Sequence, residues 1–295
     1  MLLSPFLIAM ASAASFLMDG NSYTIFDFPG ASQTVAEGIN NAGQIVGHYV
    51  PASAPFGDRA FIKDGNLFTS FNYPGSIGTV AGDINDSGQI VGGYYGSSSY
   101  FSGYIKDGAT YTSLKSKINA YDINNNGVIV GTNTSGVGSF VYDGTTYSPI
   151  NYPGAYDTAA LGINDAGVIM GYYYNSNPWA FHGFIKNGTT YSSFDYPGAA
   201  QTYATGINNN GQIVGYYQDA ELKSHGFLWD GTTFTSFDIP GGTLRAHDIN
   251  DSGQIVGVYW GNASPVPIPP SVWLLGTGLI GLVGLRRRFK FILNK

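Results

Sequence analysis

Six positions escape an otherwise regular repeat in this 295-residue chain: Glu37, Gly82, Tyr121, Leu161, Thr205 and His247, each the residue after a recurrent Ala. Glu37 and His247 supply a carboxylate and an imidazole, side chains that serve as general acids and bases when held within hydrogen-bond reach. If the strands that carry these positions line the inside of a ring, Glu37, Tyr121, Thr205 and His247 face one channel, and closure brings His247 beside Glu37. No nucleophile in a recognisable context accompanies them, and cysteine is absent. Variation at repeated surface positions is also common without catalysis, so the chain reads as a non-enzyme.

Aromatic rings form the stronger binding signal, because a ring face stacks on a sugar while a polar tip hydrogen-bonds. Tyr95, Tyr173, Trp179, Tyr217, Trp229 and Trp260 lie where one strand of each repeat runs out toward loops of variable length, and they are the candidate ligand-binding residues. Metal chemistry has a weaker footing. Asp83, Asp122 and Asp248 each open an Asp-Ile-Asn-x-x-Gly turn that fits the start of an oxygen-ligand calcium loop, but the bidentate Glu that would complete it falls at Asn133. A turn in which Asn caps its own backbone explains all six copies equally. His182 and His225 occupy equivalent places before Gly-Phe and read as structural, while His48 and His247 have no zinc-ligand spacing around them. No metal or other cofactor is therefore expected.

The stretch that positions these residues is written six times. Its clearest form is DINDSGQIVGVY at 248–259, and the first Ile of each copy falls at 39, 84, 123, 163, 207 and 249, a period of 39 to 45 residues. Such a period marks a stacked or radial repeat. Each unit holds four strand candidates: one ending in Ile-Asn, one on the QIVG run, one ending in Asp-Gly or Asn-Gly, and one ending in Pro-Gly. Asp-Gly and Asn-Gly supply the positive φ of a tight hairpin, and Pro stops the fourth strand. The third unit lacks Pro-Gly around 115–124 and predicts an irregular corner. Strands three and four come first in the chain and strands one and two come last, so the two ends make one complete unit when joined. This predicts an all-β, six-bladed β-propeller of four-stranded blades whose last blade is closed by both termini. An open β-solenoid is the alternative.

The ends differ in composition. Residues 1–14 are apolar, with Ala11-Ser12-Ala13 fitting a signal-peptide cleavage pattern, although the basic n-region is missing. The body then spans 15–263, a Pro-rich linker 264–270, a hydrophobic helix with an Arg cluster 271–288, and a tail 289–295. The apolar run 272–285 is about 21 Å long as a helix, short against a membrane core of about 30 Å. The arginines orient it with the body outside. Net charge is −6, but the body holds 8 basic against 19 acidic groups. A nucleic-acid partner is excluded by that balance.

Two family resemblances cover the chain. The block 266–288, VPIPPSVWLLGTGLIGLVGLRRR, resembles the PEP-CTERM sorting signal of Gram-negative bacteria in its variant with a Val-Pro-Leu-Pro core, here with Ile268 in third place. The sorting residues are then Val266, Pro267, Pro269, Arg286, Arg287 and Arg288. The resemblance implies export, an exosortase-like sorting enzyme as partner, at least transient membrane anchoring through the helix, and residence in the envelope or extracellular matrix. The body resembles the HAF-type extracellular repeat in its Ile-Asn-(Asn or Asp)-x-Gly-(Gln or Val)-Ile-(Val or Met)-Gly phrase and in HGF at 182–184 and 225–227. Its strand order is similar to TolB-like propeller blades, which implies an innermost strand one. The resulting expectation is an exported propeller that binds polysaccharide or serves a structural role; a secreted glycan-acting enzyme with its site at the propeller mouth is the alternative.

Overall fold

A computed structural model describes residues 13–53, 57–97, 101–176 and 179–261. The proposed sorting segment, the linker before it and most of the proposed leader lie outside the described residues. Ala13 is buried and Ala14 opens a strand, paired with Tyr259.

The described residues form twenty-four strands in six antiparallel sheets of four. Strand one runs Ala31–Ile39, Gly78–Ile84, Ile118–Ile123, Asp157–Ile163, Gln201–Ile207 and Gly242–Ile249 in blades 1 to 6. Blades 1 to 5 are contiguous. Blade 6 is composite, with strands one and two from Gly242–Ile249 and Ile255–Gly261, and strands three and four from Ala14–Asp19 and Ser22–Phe26. The sheet is a closed six-bladed β-propeller, not an open solenoid. Strand one of blade 2 is buried throughout, whereas fourth strands such as Leu67–Phe71 are largely exposed, so strand one is innermost. The irregular corner falls where expected: Lys117 alone joins Thr110–Ser116 to Ile118–Ile123, and it adopts φ 65°.

No single core exists. Apolar side chains form layers between neighbouring blades, as where Val46 and Ala60 of blade 1 meet Ala81, Ile84, Ile90 and Tyr104 of blade 2. Each fully buried large apolar side chain contributes roughly 1.5–3 kcal/mol. The segment that crosses from one blade to the next adds an aromatic clasp. Phe28, Tyr73, Tyr152 and Tyr196, each directly before a Pro-Gly, stack on Tyr49, Tyr94, Tyr173 and Tyr217 at 3.7–3.8 Å between ring centroids.

The repeated turn after strand one carries the closure. Asn40, Asn85, Asn124, Asn164, Asn208 and Asn250 are all buried, and each donates its side-chain amide to the backbone carbonyl of its counterpart in the next blade at 3.0–3.3 Å. The sixth bond, from Asn250 to the Asn40 carbonyl, returns to the start. Each Asn also caps its own turn, as Asn40 Oδ1 does by accepting the Ala42 and Gln44 N–H groups.

A second ring encloses the first. The following residues are Asn41, Asp86, Asn125, Asp165, Asn209 and Asp251, in strict alternation. The side-chain oxygen of each accepts a backbone N–H from the preceding blade at 2.7–2.8 Å. Every Asn amide then bridges both flanking carboxylates at 2.8–3.1 Å. Carboxylates have no donor and amides have two, so alternation satisfies every member.

Replacing Asn250 by Ala removes the bond that joins the last blade to the first and strands two turn N–H groups, those of Ser252 and Gln254. A loss of about 2–4 kcal/mol of stability is expected in denaturant titration. A change below about 0.5 kcal/mol, the range of a neutral surface substitution, would show that the ring does not hold the fold closed.

Candidate functional site

Every strand one carries a β-bulge at the same place. Pairing with strand two skips from Ala36 to Gly38, Ala81 to Asp83, Ala120 to Asp122, Ala160 to Gly162, Ala204 to Gly206 and Ala246 to Asp248. The skipped residues are the six variable ones. A bulge leaves one residue unpaired and re-aims its side chain. Here it turns Glu37, Gly82, Tyr121, Leu161, Thr205 and His247 toward the channel, where all six line one cavity. The Gly of each QIVG-type run makes room for this path, since a Cβ on Gly47 would stand 2.0 Å from the Val35 carbonyl oxygen.

The cavity has a volume of about 150 Å³, and Gln33, His48, Asp58, Tyr172, Tyr216, Arg245 and Trp260 complete most of its wall. Ring closure does bring His247 beside Glu37: His247 Nδ1 lies 3.0 Å from Glu37 Oε2 and 2.8 Å from the Ala36 carbonyl oxygen. His48 Nδ1 stands 3.6 Å from the other carboxylate oxygen. Burial alone would lower the His247 pKa, but the Glu37 carboxylate and the Ala36 carbonyl more than offset it and raise the value. Thr205 donates its hydroxyl to the Ala246 carbonyl at 2.9 Å and so ties blade 5 to blade 6 beneath the cavity. Burial pushes the Tyr172 phenol well above its ordinary range, helped by the neighbouring phenols Tyr216, Tyr121 and Tyr203 and by Asp157. It therefore acts as a neutral hydrogen-bonding group. Trp260 Nε1 is buried in the wall without a hydrogen bond, and Glu37 Oε1, also without one, faces His48 Nδ1 at 3.6 Å.

The six aromatic candidates separate in the fold. Trp260 lines the cavity. Tyr95 is at its rim and donates its hydroxyl to the cavity residue Asp58 at 3.3 Å. Trp179 is 63% exposed and stacks on Tyr174, away from the cavity wall. Tyr173 and Tyr217 are not among the cavity-lining residues, and the crossing-segment rings of Tyr152 and Tyr196 cover one face of each. Trp229 is likewise packed, between Phe194 and Phe234. Tyr172, Tyr216 and Arg245 were not singled out from the sequence and do line the cavity. The alternation of strand two separates Tyr172 from Tyr173 and Tyr216 from Tyr217, because successive side chains point to opposite faces.

At the other end of the channel lie Asp83, Asp122 and Asp248. Their carboxylates accept the N–H groups of Ile123, Ile163 and Ile39 in the following blades, at 2.8–3.2 Å. The three equivalent positions are Gly because the channel is narrow: a Cβ on Gly38 would stand 2.4 Å from Asp83 Oδ1. Burial pushes the Asp122 and Asp248 carboxyls well above the usual range and raises Asp83, and mutual repulsion adds to this, with Asp83 and Asp122 sharing a hydrogen bond. Among the described residues no group of three or more His, Asp or Glu side chains is arranged to hold a metal ion. His182 and His225 pair with Asp195 and Asp238 through Nδ1 at 2.9 Å, and His225 also meets Asp219 through Nε2 at 3.1 Å. These are ties near strand ends, outside the cavity.

Comparison with known proteins supports the fold. Residues 109–240 match the model of a family described as a protein of unknown function, DUF3466. No curated protein sequence matches. A TolB from Agrobacterium tumefaciens superimposes with a TM-score of 0.60 at 10% identity, covering 86% of this chain and 100% of that one. The SapL1 lectin, solved in complex with alpha methyl fucoside, has a TM-score of 0.50 at 16% identity over 80% of this chain and 97% of its own. The gluconolactonase XC5397 from Xanthomonas campestris has a TM-score of 0.50 at 10% identity over 81% and 90%. At these identities the likeness is one of fold.

The aspartate trio yields a prediction with a definite sign. A carboxyl whose pKa is higher folded than unfolded binds its proton more readily in the native state. Its contribution is full below about pH 4 and is lost as pH rises through the folded value. Asp122→Asn keeps an oxygen for the Ile163 N–H and cannot ionise. Its melting temperature is expected to match the wild type near pH 4 and to exceed it increasingly toward pH 7, by roughly 2–4 °C per kcal/mol recovered. A variant less stable than the wild type at pH 7 would refute the buried-charge account.

Proposed function

We propose that this chain is an exported, non-enzymatic propeller that binds a saccharide ring in the cavity at one end of its channel. The carrying observation is the convergence, from several blades, of aromatic side chains and two buried polar atoms without hydrogen bonds on one cavity of about 150 Å³. A cavity of about 150 Å³ lined by apolar side chains accepts benzene, so this volume suits one six-membered ring. Glu37 Oε1 accepts a sugar hydroxyl, Trp260 Nε1 donates to another, and the Trp260 ring supplies an apolar wall. Leaving such buried groups unpaired costs about 1–3 kcal/mol each, which a polyhydroxylated ligand recovers. The SapL1 lectin, a protein of similar fold in complex with alpha methyl fucoside, is a precedent for sugar binding on this architecture. Export and envelope placement rest on the Val266–Arg288 signal, with an exosortase-like enzyme as the sorting partner and extracellular polysaccharide as the ligand source.

Catalysis is the second reading, carried by the Glu37–His247 contact at 3.0 Å and by a gluconolactonase of similar fold. His247 Nδ1 is committed to Glu37 and the Ala36 carbonyl, contacts that raise the imidazole pKa and leave Nε2 for proton transfer, but no nucleophile in a recognisable context accompanies the pair.

A glycan array probed with the full chain is expected to retain sugars, and Trp260→Ala to weaken retention at least about tenfold, a hot-spot-sized loss, with an unchanged thermal melt. Equal retention by the variant, or none by the wild type, sinks the binding reading; product released from a retained glycan and abolished in Glu37→Gln favours the enzyme. For sorting, a chain lacking residues 266–288 is expected to leave the envelope fraction, and its unchanged distribution in cell fractionation would refute the signal.

A further inference from the structure

The cavity holds one cation that the protein itself does not answer. Arg245 projects from strand one of blade 6, and its guanidinium carbon lies 4.8 Å from the ring centre of Tyr216 and 5.5 Å from that of Trp260. Two rings from neighbouring blades thus hold the guanidinium. Among the described residues no carboxylate stands within ion-pair distance of it: Glu37 is taken by His247, and Asp58 is engaged by the Tyr95 hydroxyl. Its side-chain N–H groups find no acceptor there either.

An arginine held by aromatic faces, with its donor edge unoccupied, is a receptor for a planar anion. Guanidinium and carboxylate match in geometry and pair through two parallel hydrogen bonds, which fix orientation as well as adding affinity. Lysine would not do the same, because it lacks the planar fork. The other cavity groups answer hydroxyls: Glu37 Oε1 is an acceptor with only the longer His48 contact, and Trp260 Nε1 is a donor without a hydrogen bond.

From these observations we infer that the ligand is an acidic sugar, a carboxylate-bearing pyranose of the hexuronate class, with its carboxylate forked on Arg245 and its hydroxyls on Glu37 and Trp260. The inference rests on the saccharide reading above and sharpens it. Two features restrict how such a sugar enters. The space takes one ring, so the cavity receives a free monosaccharide or a chain end. The body's excess of 19 acidic over 8 basic groups disfavours a long polyanion at low ionic strength, which again selects a single terminal acid.

Titration calorimetry of the full chain with methyl glucuronoside and methyl galacturonoside, each set against its neutral uronamide and its parent hexoside, tests this. The amide keeps the shape and removes the charge. The acid is expected to bind at least about tenfold more tightly than the amide, the difference a charge-assisted bidentate pair supports. Arg245→Gln should erase that ratio while leaving the weaker binding of the neutral sugars. Trp260→Ala should weaken acid and amide together. Equal wild-type affinity for acid and amide overturns the acidic-sugar inference and leaves the saccharide reading standing; absence of binding to every sugar overturns both. The wild-type ratio decides even if a variant fails to fold.

Discussion

The structure depends on a closed circle of asparagine amides. Six buried side chains, from Asn40 to Asn250, each donate to a backbone carbonyl in the next blade, and the last reaches the first. A buried amide without a partner costs about 1–3 kcal/mol, so no member can be left out of the circle cheaply. This converts six local turns into one object. The outer ring makes the same demand in charge: Asn41, Asp86, Asn125, Asp165, Asn209 and Asp251 alternate, and alternation around a circle needs an even number of members with the last unlike the first. Six blades meet that condition, and Asp251 meets Asn41.

The two ends of the channel thereby receive different work. At the ring end every polar group has a partner inside the protein, and even the crowded carboxyls Asp83, Asp122 and Asp248 accept backbone N–H groups. At the cavity end the bulge sits three residues before each Asn and turns an unconstrained side chain inward. The scaffold is therefore rigid where it is repetitive and variable within a few ångströms of its most rigid part. Placing a site on strands held by such a ring fixes its geometry more firmly than placing it on loops.

Much of this was legible in the residues. The period, the Pro-Gly and Asp-Gly stops and the split of one unit between the termini led to six blades with a composite sixth, because each is a local statement about backbone that the chain repeats. The adjacency of Glu37 and His247 followed from closure alone. The meaning of the Asn/Asp alternation did not, although the letters GINN, DIND, DINN, GIND, GINN and DIND display it. Read locally, each pair is a capped turn; its second role exists only between blades. The aromatic residues failed for a related reason. Period-2 alternation put Tyr172 and Tyr216 in the cavity and their neighbours Tyr173 and Tyr217 under stacked rings, and an aromatic cluster read without its faces cannot tell them apart.

Arg245 illustrates what a repeat hides. In a body with two arginines, nothing in its local phrase, TLRAHDIN, distinguishes a channel residue from a solvated one. Its neighbour rings come from blade 5 and from the far end of strand two in blade 6, and only closure places them against it. Long charged side chains at exposed sites reach water at little cost; one held by two rings in a channel has surrendered rotamer freedom, a cost its ring contacts offset. The sole unanswered cation of the described cavity thus sits where Glu37 Oε1 and Trp260 Nε1 are also unsatisfied. An acceptor, a donor and an anion receptor around a space for one ring describe a ligand more narrowly than the fold does, and none of the three is required by the repeat.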